Sequence, residues 1–155
     1  MSDVEVGKKV PDFSLPATSD RTISLESMKG QNVVIYFYPK DSTPGCTTES
    51  QNFRDLHDAF AACNTVIVGV SRDGLKSHEN FRAKQSLPFD LISDKEEELC
   101  KLFDVIKLKK LYGRESLGIE RSTFLIDSKG VLREEWRKVK VPGHAEAVLE
   151  AAQAL

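Results

Sequence analysis

The sequence lacks an excess of charge of either sign. Its 155 residues include 22 basic and 24 acidic side chains, which gives a formal net charge of −2. A protein that binds nucleic acid or an anionic membrane surface normally concentrates positive charge on one face. The composition therefore gives no electrostatic case for either, and we expect no nucleic acid and no membrane among the partners.

Long apolar segments are also missing, since no run approaches the roughly 20 residues of a membrane-spanning helix. The N-terminal stretch, M-S-D-V-E-V-G, has neither the basic residues nor the apolar core of a secretory signal. Cysteine is scarce, and three widely spaced residues argue against a disulfide framework. These features favour a reducing compartment, so a cytoplasmic location is expected.

The sequence has no recognisable pattern for binding a metal or a phosphate group. His57, His78 and His144 lie far apart and share no ligand spacing with the cysteines. Gly113 and Gly118 do not follow a strand in the way that a phosphate-binding loop requires. We therefore expect no metal and no cofactor.

The sequence also lacks internal repeats, low-complexity segments and linkers. Residues 1–155 are predicted to form a single domain, since this length is sufficient for one well-packed core. No long exposed apolar stripe is evident, so a monomer is the expectation.

What the sequence does contain is a strand–helix–strand pattern near its centre. Val33–Tyr38 is an unbroken apolar and aromatic run, and Thr65–Val70 is a second one. Such runs are typical of strands buried on both faces of a sheet. Apolar residues recur at helical spacing between them and predict one helix that reaches Cys63. The unit predicts two parallel strands with a right-handed crossover.

The remaining segments extend this pattern in both directions. They predict an opening hairpin with a helical turn over residues 11–29, a helix over 75–85, a short strand over 89–93 and a second helix over 94–103. A basic stretch with a loop over 107–118, a closing hairpin over 122–136 and a last helix from 144 onward complete the chain. The order predicts an α/β protein with a thioredoxin-like fold. It has a mixed central β-sheet flanked by helices on both faces, with an N-terminal β-hairpin.

A cysteine lies where the first buried strand gives way to a helix. In the segment Thr43-Pro44-Gly45-Cys46, Thr43 is a suitable N-cap and Pro44 a suitable first helical residue. Cys46 then lies in the first turn, where free backbone N–H groups and the helix dipole favour thiolate over thiol. A thiolate attacks disulfides and peroxides. The alternatives are that Cys46 is a small core residue and that Thr43 is only a cap.

The segment P-K-D-S-T-P-G-C resembles the peroxiredoxin active-site pattern Pro-x-x-x-Thr-x-x-Cys, which Pro39, Thr43 and Cys46 match. The wider Y-F-Y-P-K…T-P-G-C-T-x-E is similar to the bacterioferritin comigratory protein (PrxQ) branch of that family. The similarity continues through S-D…L-x-x-x-F-x-V at 93–105 and Y-G…G-I-E-R-S-T-F-L-I-D at 112–127. It thus covers nearly the whole chain.

The resemblance implies a thiol-dependent peroxidase that reduces hydrogen peroxide and organic hydroperoxides. Cys46 would be the peroxidatic cysteine, Thr43 would form hydrogen bonds with the peroxide oxygens, and Pro39 would shield the sulfur from water. Arg121 would stabilise the thiolate and the charge that develops on the peroxide, and Glu49 would orient Arg121. Without the resemblance, Arg121 would be read as a surface residue and Glu49 as an exposed helix carboxylate.

The sequence departs from the family pattern at the resolving cysteine. The two usual positions for that thiol hold Gln51 and Arg82. On a continuous helix, Cys63 would lie roughly 25 Å from Cys46, whereas a disulfide needs Cα atoms within about 7 Å. Cys63 and Cys100 are interpreted as core residues. We therefore expect a single-cysteine mechanism in which an external thiol, glutathione with glutaredoxin or else thioredoxin, regenerates Cys46.

Two other classes of function remain possible on the sequence. A thiol–disulfide oxidoreductase would use the same segment as a Cys-x-x-Cys motif, but Thr43 stands where the first cysteine would be. A peroxide sensor would use oxidation of Cys46 as a signal without turnover. Insulin reduction distinguishes the first from a peroxidase, and thiol-dependent peroxide turnover distinguishes the second.

Overall fold

The computed structural model describes residues 4–155, apart from the side chain of Leu111. Residues 1–3, which begin the N-terminal stretch expected to lack a secretory signal, lie outside the described residues. The elements in chain order are β1 (Ser14–Ala17), β2 (Arg21–Ser24), a 3-10 turn (Glu26–Met28), β3 (Asn32–Phe37), α1 (Pro44–Asp55), α2 (His57–Ala62), β4 (Thr65–Ser71), α3 (Leu75–Gln85), β5 (Leu91–Ser93), α4 (Glu98–Leu102), β6 (Ile106–Leu111), β7 (Arg114–Ile119), β8 (Ser122–Ile126), β9 (Leu132–Trp136) and α5 (His144–Gln153).

A seven-stranded sheet in the order β2-β1-β5-β4-β3-β8-β9 forms the centre of the molecule. Strand β3 is parallel to β4, and β4 is parallel to β5, as the strand–helix–strand pattern predicts. Strand β8 lies antiparallel on the other side of β3. The β1–β2 hairpin joins the sheet beside β5. The predicted mixed sheet and N-terminal hairpin are therefore confirmed.

Strand β3 is central because its side chains are apolar on both faces. Val33, Ile35 and Phe37 pack into one core cluster, which also contains the buried side chains of α4. Val34 and Tyr36 pack into a second cluster, beneath α1, α2, α3 and α5. Successive side chains of a strand point to opposite faces, so one apolar run serves both cores. Helices cover both faces, as predicted.

The helix after β3 is not continuous, which corrects one prediction. Helix α1 ends at Asp55, and α2 begins at His57. Leu56 between them leaves the helical region, with φ −101° and ψ 5°, and its amide bonds to the carbonyl oxygen of Phe53. The apolar spacing continues across this break, so the sequence pattern does not show it. Cys63 follows α2 and is not on the helix that carries Cys46.

The segment predicted as a basic stretch and a loop is a β-hairpin, which is a second correction. Strands β6 and β7 pair as a separate two-stranded sheet. Tyr112 and Gly113 at the turn have φ values of 52° and 77°. Positive φ at both central residues is typical of a two-residue hairpin turn. The lysines of β6 hide the alternation of apolar and polar residues that would identify a strand. The exposed residues Leu108 and Leu117 are paired across the two strands and lie on one face.

Among residues 4–155, no helix has the length and hydropathy needed to cross a bilayer.

Candidate active site

The candidate site lies at the carboxyl end of β3. The chain leaves the strand after Phe37, passes the half-buried Pro39 and enters α1 at Pro44. Thr43 is the N-cap residue, as predicted, but its hydroxyl donates to the carbonyl oxygen of Lys40 at 2.8 Å and makes no cap hydrogen bond with the helix. Cys46 lies in the first turn of α1. The strand–loop–helix arrangement predicted around Cys46 is therefore present.

Arg121 reaches Cys46 because of the register between β3 and β8. The antiparallel pairing places Phe37 opposite Ser122, so Arg121 stands at the sheet edge where β3 ends. Its Nη2 donates to the Cys46 sulfur at 3.4 Å, and its Nη1 donates to Oε1 of Glu49 at 2.6 Å. One guanidinium thus joins the thiol to a carboxylate on the next turn of α1.

Burial distinguishes this arrangement from an ordinary surface ion pair. Cys46 and Glu49 are each 1% exposed, and the Arg121 side chain is 17% exposed. The alternative in which Glu49 is an exposed helix carboxylate and Arg121 a surface residue is therefore wrong. A Cβ atom added to Gly45 would lie 3.2 Å from Nη2 of Arg121, so the guanidinium packs closely against the backbone there.

The environment sets the charge of both members of the pair. Burial lowers the pKa of Arg121, but the charges and hydrogen bonds of Glu49 and Cys46 outweigh it and raise that pKa above its ordinary value. Burial raises the pKa of Glu49 from 4.5 to about 7, although the Arg121 charge and hydrogen bond oppose this. Oε2 of Glu49 is buried without a hydrogen-bond partner. Arg121 therefore supplies a permanent positive charge beside the sulfur.

The raised pKa of Glu49 predicts how its replacement changes stability with pH. Folded protein keeps this proton to a higher pH than unfolded chain, so the stability due to Glu49 is full below about pH 4.5 and falls as the pH rises toward 7. The Glu49→Gln variant has no ionisable group at this position, so this loss of stability with rising pH is absent. Relative to wild type, the free energy of unfolding of the variant should rise between pH 5 and 8, by on the order of 3 kcal/mol. Urea unfolding at both pH values measures it.

The exposed Glu134→Gln variant is the control, and its difference from wild type should not vary in this way. A Glu49→Gln difference that stays constant between the two pH values would show that Glu49 is ionised throughout this range.

Two polar groups near the site were not identified from the sequence. Thr123 and His144 form a hydrogen bond of 2.7 Å between Oγ1 and Nε2. Burial, together with the charge of Arg121, lowers the pKa of His144 to about 4. His144 is therefore neutral near pH 7 and adds no second positive charge beside Arg121. No local sequence signal marks this pair, because it depends on α5 packing near the start of β8.

A second buried polar group lies behind the loop that leads to Cys46. Asp41, Asp73 and His78 bring ligand atoms within 4.8 Å of one another. Each of these atoms already contacts a polar group of the protein. The three residues come from separate parts of the chain, so the histidine spacing in the sequence gave no sign of the cluster.

This chain is similar to known proteins over nearly its whole length. The model of the AhpC/TSA family matches residues 6–135. Peroxiredoxin Bcp of Bacillus subtilis is 53% identical over 152 residues, which cover 98% of this chain and 95% of that protein. A cysteine-to-serine mutant of PrxQ from Xylella fastidiosa is 44% identical, with a TM-score of 0.93 over 99% of this chain and 98% of that one.

The bacterioferritin comigratory protein of Xanthomonas campestris, in a structure whose description concerns its alkyl peroxide reduction activity, is 49% identical. The TM-score is 0.90 over 99% of this chain and 98% of that one. Structures of PrxQ from the same organism include two different cysteine-to-serine mutants, at positions 36 residues apart.

These relatives identify the class of thiol protein that has this site. They are peroxiredoxins, and this chain matches them over nearly their whole length. The class is therefore a thiol-dependent peroxidase rather than a thiol–disulfide oxidoreductase. The chain belongs to the AhpC/TSA family. Within that family it falls in the bacterioferritin comigratory protein (PrxQ) branch of the peroxiredoxins.

Proposed function

We propose that Cys46 is the peroxidatic cysteine and that it reduces hydrogen peroxide and organic hydroperoxides. The observation that carries this proposal is the contact of Arg121 with both the Cys46 sulfur and Glu49. The thiolate attacks one peroxide oxygen, an S–O bond forms and the O–O bond breaks. The leaving oxygen departs as alkoxide or hydroxide and takes a proton to give an alcohol or water. Cys46 becomes a sulfenic acid.

The neighbouring residues have distinct roles in this step. Negative charge moves onto the leaving oxygen, and a fixed guanidinium lowers the energy of that charge. Arg121 supplies this stabilisation, and Glu49 orients it through the 2.6 Å hydrogen bond. Thr43, at the N-cap position three residues before Cys46, is assigned to hydrogen bonds with the peroxide oxygens. Pro39, half-buried at the end of β3, is assigned to excluding water.

We further propose that the sulfenic acid is resolved by an external thiol. Gln51 donates from Nε2 to Oε1 of Gln85 at 2.8 Å and so links α1 to α3. Arg82 lies 36 residues after Cys46, the spacing of the two mutated cysteines in the Xanthomonas protein. Its Nε donates to the carbonyl oxygen of Phe89 at 3.0 Å. Both usual resolving positions therefore hold side chains that connect structural elements.

The position of Cys63 supports the same conclusion. Its carbonyl oxygen accepts a hydrogen bond from Asn32 at the first residue of β3, whereas Cys46 lies beyond the last residue of that strand. A strand of six residues is about 20 Å long, so the two sulfurs lie near opposite edges of the sheet. A disulfide between them would require α1 and α2 to unfold.

Cys100 is separated from Cys46 by the sheet itself. Cys100 packs in the core cluster with α4, and Cys46 packs in the cluster on the opposite face. Burial, with the nearby charge of Asp94, raises the pKa of Cys100 far above its ordinary value. A neutral buried thiol is a poor nucleophile toward a sulfenic acid.

An external thiol completes the cycle in two balanced steps. The thiolate of the reductant attacks the Cys46 sulfenic sulfur, the S–O bond breaks, and the leaving hydroxide takes a proton to give water and a mixed disulfide. A second thiol then attacks the reductant's sulfur and releases Cys46 as a thiolate. Glutathione with glutaredoxin, or thioredoxin, supplies these thiols in our proposal, and the protein works as a cytoplasmic monomer.

Replacing both other cysteines tests this route. The double variant Cys63→Ser, Cys100→Ala should keep thiol-dependent peroxide turnover within about twofold of wild type, since neither thiol takes part. Turnover is measured separately with glutathione and glutaredoxin and with thioredoxin, and circular dichroism confirms the fold. Loss of most of the activity in a folded double variant would show that one of the two cysteines resolves Cys46.

A further inference from the structure

The loop that leads to Cys46 is anchored on a partly buried polar cluster, called here the Asp41 cluster, which consists of Tyr38, Asp41, Asp73, Ser77 and His78. Its central members are almost inaccessible to solvent: His78 is 0% exposed, Tyr38 0% and Asp41 5%. Buried polar groups are costly unless they are paired. These buried side chains take no part in the proposed peroxide chemistry, so their pairing with one another is what keeps them in the fold.

Asp41 is held through its side chain and its backbone at once. Oδ1 accepts a hydrogen bond from the Tyr38 hydroxyl at 2.6 Å, and Oδ2 accepts one from the Ser77 hydroxyl at 2.8 Å. The backbone N–H of Asp41 donates to Oδ2 of Asp73 at 2.9 Å. The loop is therefore fixed to the residue that follows β3, to α3 and to the segment between β4 and α3.

Both ring nitrogens of His78 contact oxygen atoms of the protein. Nε2 lies 2.9 Å from the carbonyl oxygen of Ile92, which can only accept, so this nitrogen carries a hydrogen. Nδ1 lies 2.7 Å from Oδ2 of Asp41. Burial would raise the pKa of Asp41, but the hydrogen bond and charge of His78, with the Tyr38 and Ser77 hydroxyls, lower it below its ordinary value. Both carboxyl oxygens of Asp41 also accept from hydroxyl groups, so Nδ1 faces a hydrogen-bond acceptor as Nε2 does.

An imidazolium, which donates from both ring nitrogens, satisfies both of these contacts. The charged groups around it are the carboxylates of Asp41, from the loop, and of Asp73, from the segment between β4 and α3. On the side of β5 the ring meets the neutral carbonyl of Ile92. The ligand atoms of the cluster are already engaged by hydrogen bonds, so the arrangement favours an ion pair over a metal site.

The cluster lies close to the proposed chemistry along the chain. Asp41 is followed by Ser42, whose φ of 62° places a residue other than glycine in the left-handed region. Such a conformation needs support from surrounding contacts. Thr43 follows at the N-cap position of α1, and Cys46 lies in the first turn. A shift of Asp41 would therefore move the start of α1 relative to Arg121, which lies just before β8.

We propose that His78 and Asp41 form a buried ion pair that acts as a positioning element for peroxide reduction. The pair holds the Asp41–Thr43 loop, so that Thr43 and Cys46 are placed correctly relative to the peroxide and Arg121. The two residues do not touch substrate and act through the loop. The proposal rests on the function proposed for Cys46.

The protonation of His78 is tested directly on the wild-type protein. Nitrogen-15 NMR of the histidine rings near pH 7 should show both nitrogens of one histidine carrying hydrogen, and this signal should be absent in His78→Gln. A wild-type spectrum in which every histidine has one unprotonated ring nitrogen would overturn the ion pair.

The positioning role is tested by the rate at which hydrogen peroxide oxidises Cys46, measured by rapid quenching and mass spectrometry. His78→Gln should be oxidised about 10- to 100-fold more slowly than wild type, since small displacements at a reacting centre have effects of this size. The matched control is His57→Gln, at a half-buried position on α2, which should keep the wild-type rate. Equal rates in folded His78→Gln and His57→Gln would overturn the proposal.

Asp41→Asn provides an independent variant if His78→Gln does not fold. It removes the same ion pair from the other side and should slow oxidation to a similar extent. The double variant should be little slower than either single one, because the two residues act as one unit. A purely structural role would change unfolding without changing the oxidation rate of folded protein. If wild-type Cys46 is not oxidised at all, the proposed function fails rather than this inference.

Discussion

Replacing Cys46 by serine is expected to abolish thiol-dependent peroxide turnover. A serine hydroxyl is a weak nucleophile at neutral pH without an adjacent base, and it cannot pass through a sulfenic acid that a thiol then reduces. Cys46 is 1% exposed and serine is close to it in size, so the fold should be retained. The measurement is peroxide consumption with an added thiol reductant.

Cys63→Ser is the matched control for this variant, because Cys63 lies at the opposite edge of the sheet and should be dispensable. Circular dichroism and thermal unfolding confirm that both variants are folded. Turnover by folded Cys46→Ser above the background of the reductant alone would disprove the assignment of Cys46.

Replacing Arg121 by alanine is expected to slow the oxidation of Cys46 by about 100- to 1,000-fold, the usual cost of removing one preorganised donor from a site where charge develops. The variant loses the 3.4 Å contact with the sulfur and the partner of Glu49. Arg121→Lys keeps the charge but cannot donate to both neighbours with the same planar geometry, so its rate should be intermediate. Stopped-flow kinetics with hydrogen peroxide measure all three proteins.

Arg133→Ala is the control, since Arg133 is an exposed residue of β9 that forms an ion pair with Asp127, away from the site. Its rate of Cys46 oxidation should match wild type. Arg121→Ala should also lower stability, because Glu49 is left buried without its partner, and thermal unfolding measures this separately. A folded Arg121→Ala that reacts as fast as Arg133→Ala would contradict the role given to Arg121.

Local patterns were sufficient to predict the central part of the fold and the position of Cys46. An apolar run that ends at a Pro-containing loop and continues into a helix is contained within about fifteen residues, and α1 begins at Pro44 as those residues indicate. The terminal hairpin and the last helix were predicted for similar reasons. Each of these features depends on neighbouring residues, whose spacing is visible in the sequence.

The contacts that complete the site depend on residues far apart in the chain. Arg121 and Glu49 are separated by 72 positions, and only the register between β3 and β8 brings them together. From the residues alone both would be interpreted as surface groups, and the family resemblance supplied their pairing. The His78–Asp41 contact has no such resemblance to indicate it, and it depends on how α3 packs behind the loop.

The two errors of prediction also have physical causes. The break at Leu56 preserves the apolar spacing, so a helical pattern continues through a residue that is not helical. The β6–β7 hairpin forms a sheet separate from the main one, and β6 contains three lysines that are exposed or half-buried, a composition typical of a loop. Polar residues on a two-stranded sheet outside the core weaken the alternation that identifies a strand.

The most direct test of the central claim is intact-protein mass spectrometry of wild type after one equivalent of hydrogen peroxide, with a sulfenic-acid trap present. We predict one trap adduct, located on Cys46 by peptide mapping, with Cys63 and Cys100 still reduced. A disulfide between Cys46 and either other cysteine would contradict the single-cysteine mechanism. The absence of oxidation at Cys46 would contradict its assignment as the reacting thiol.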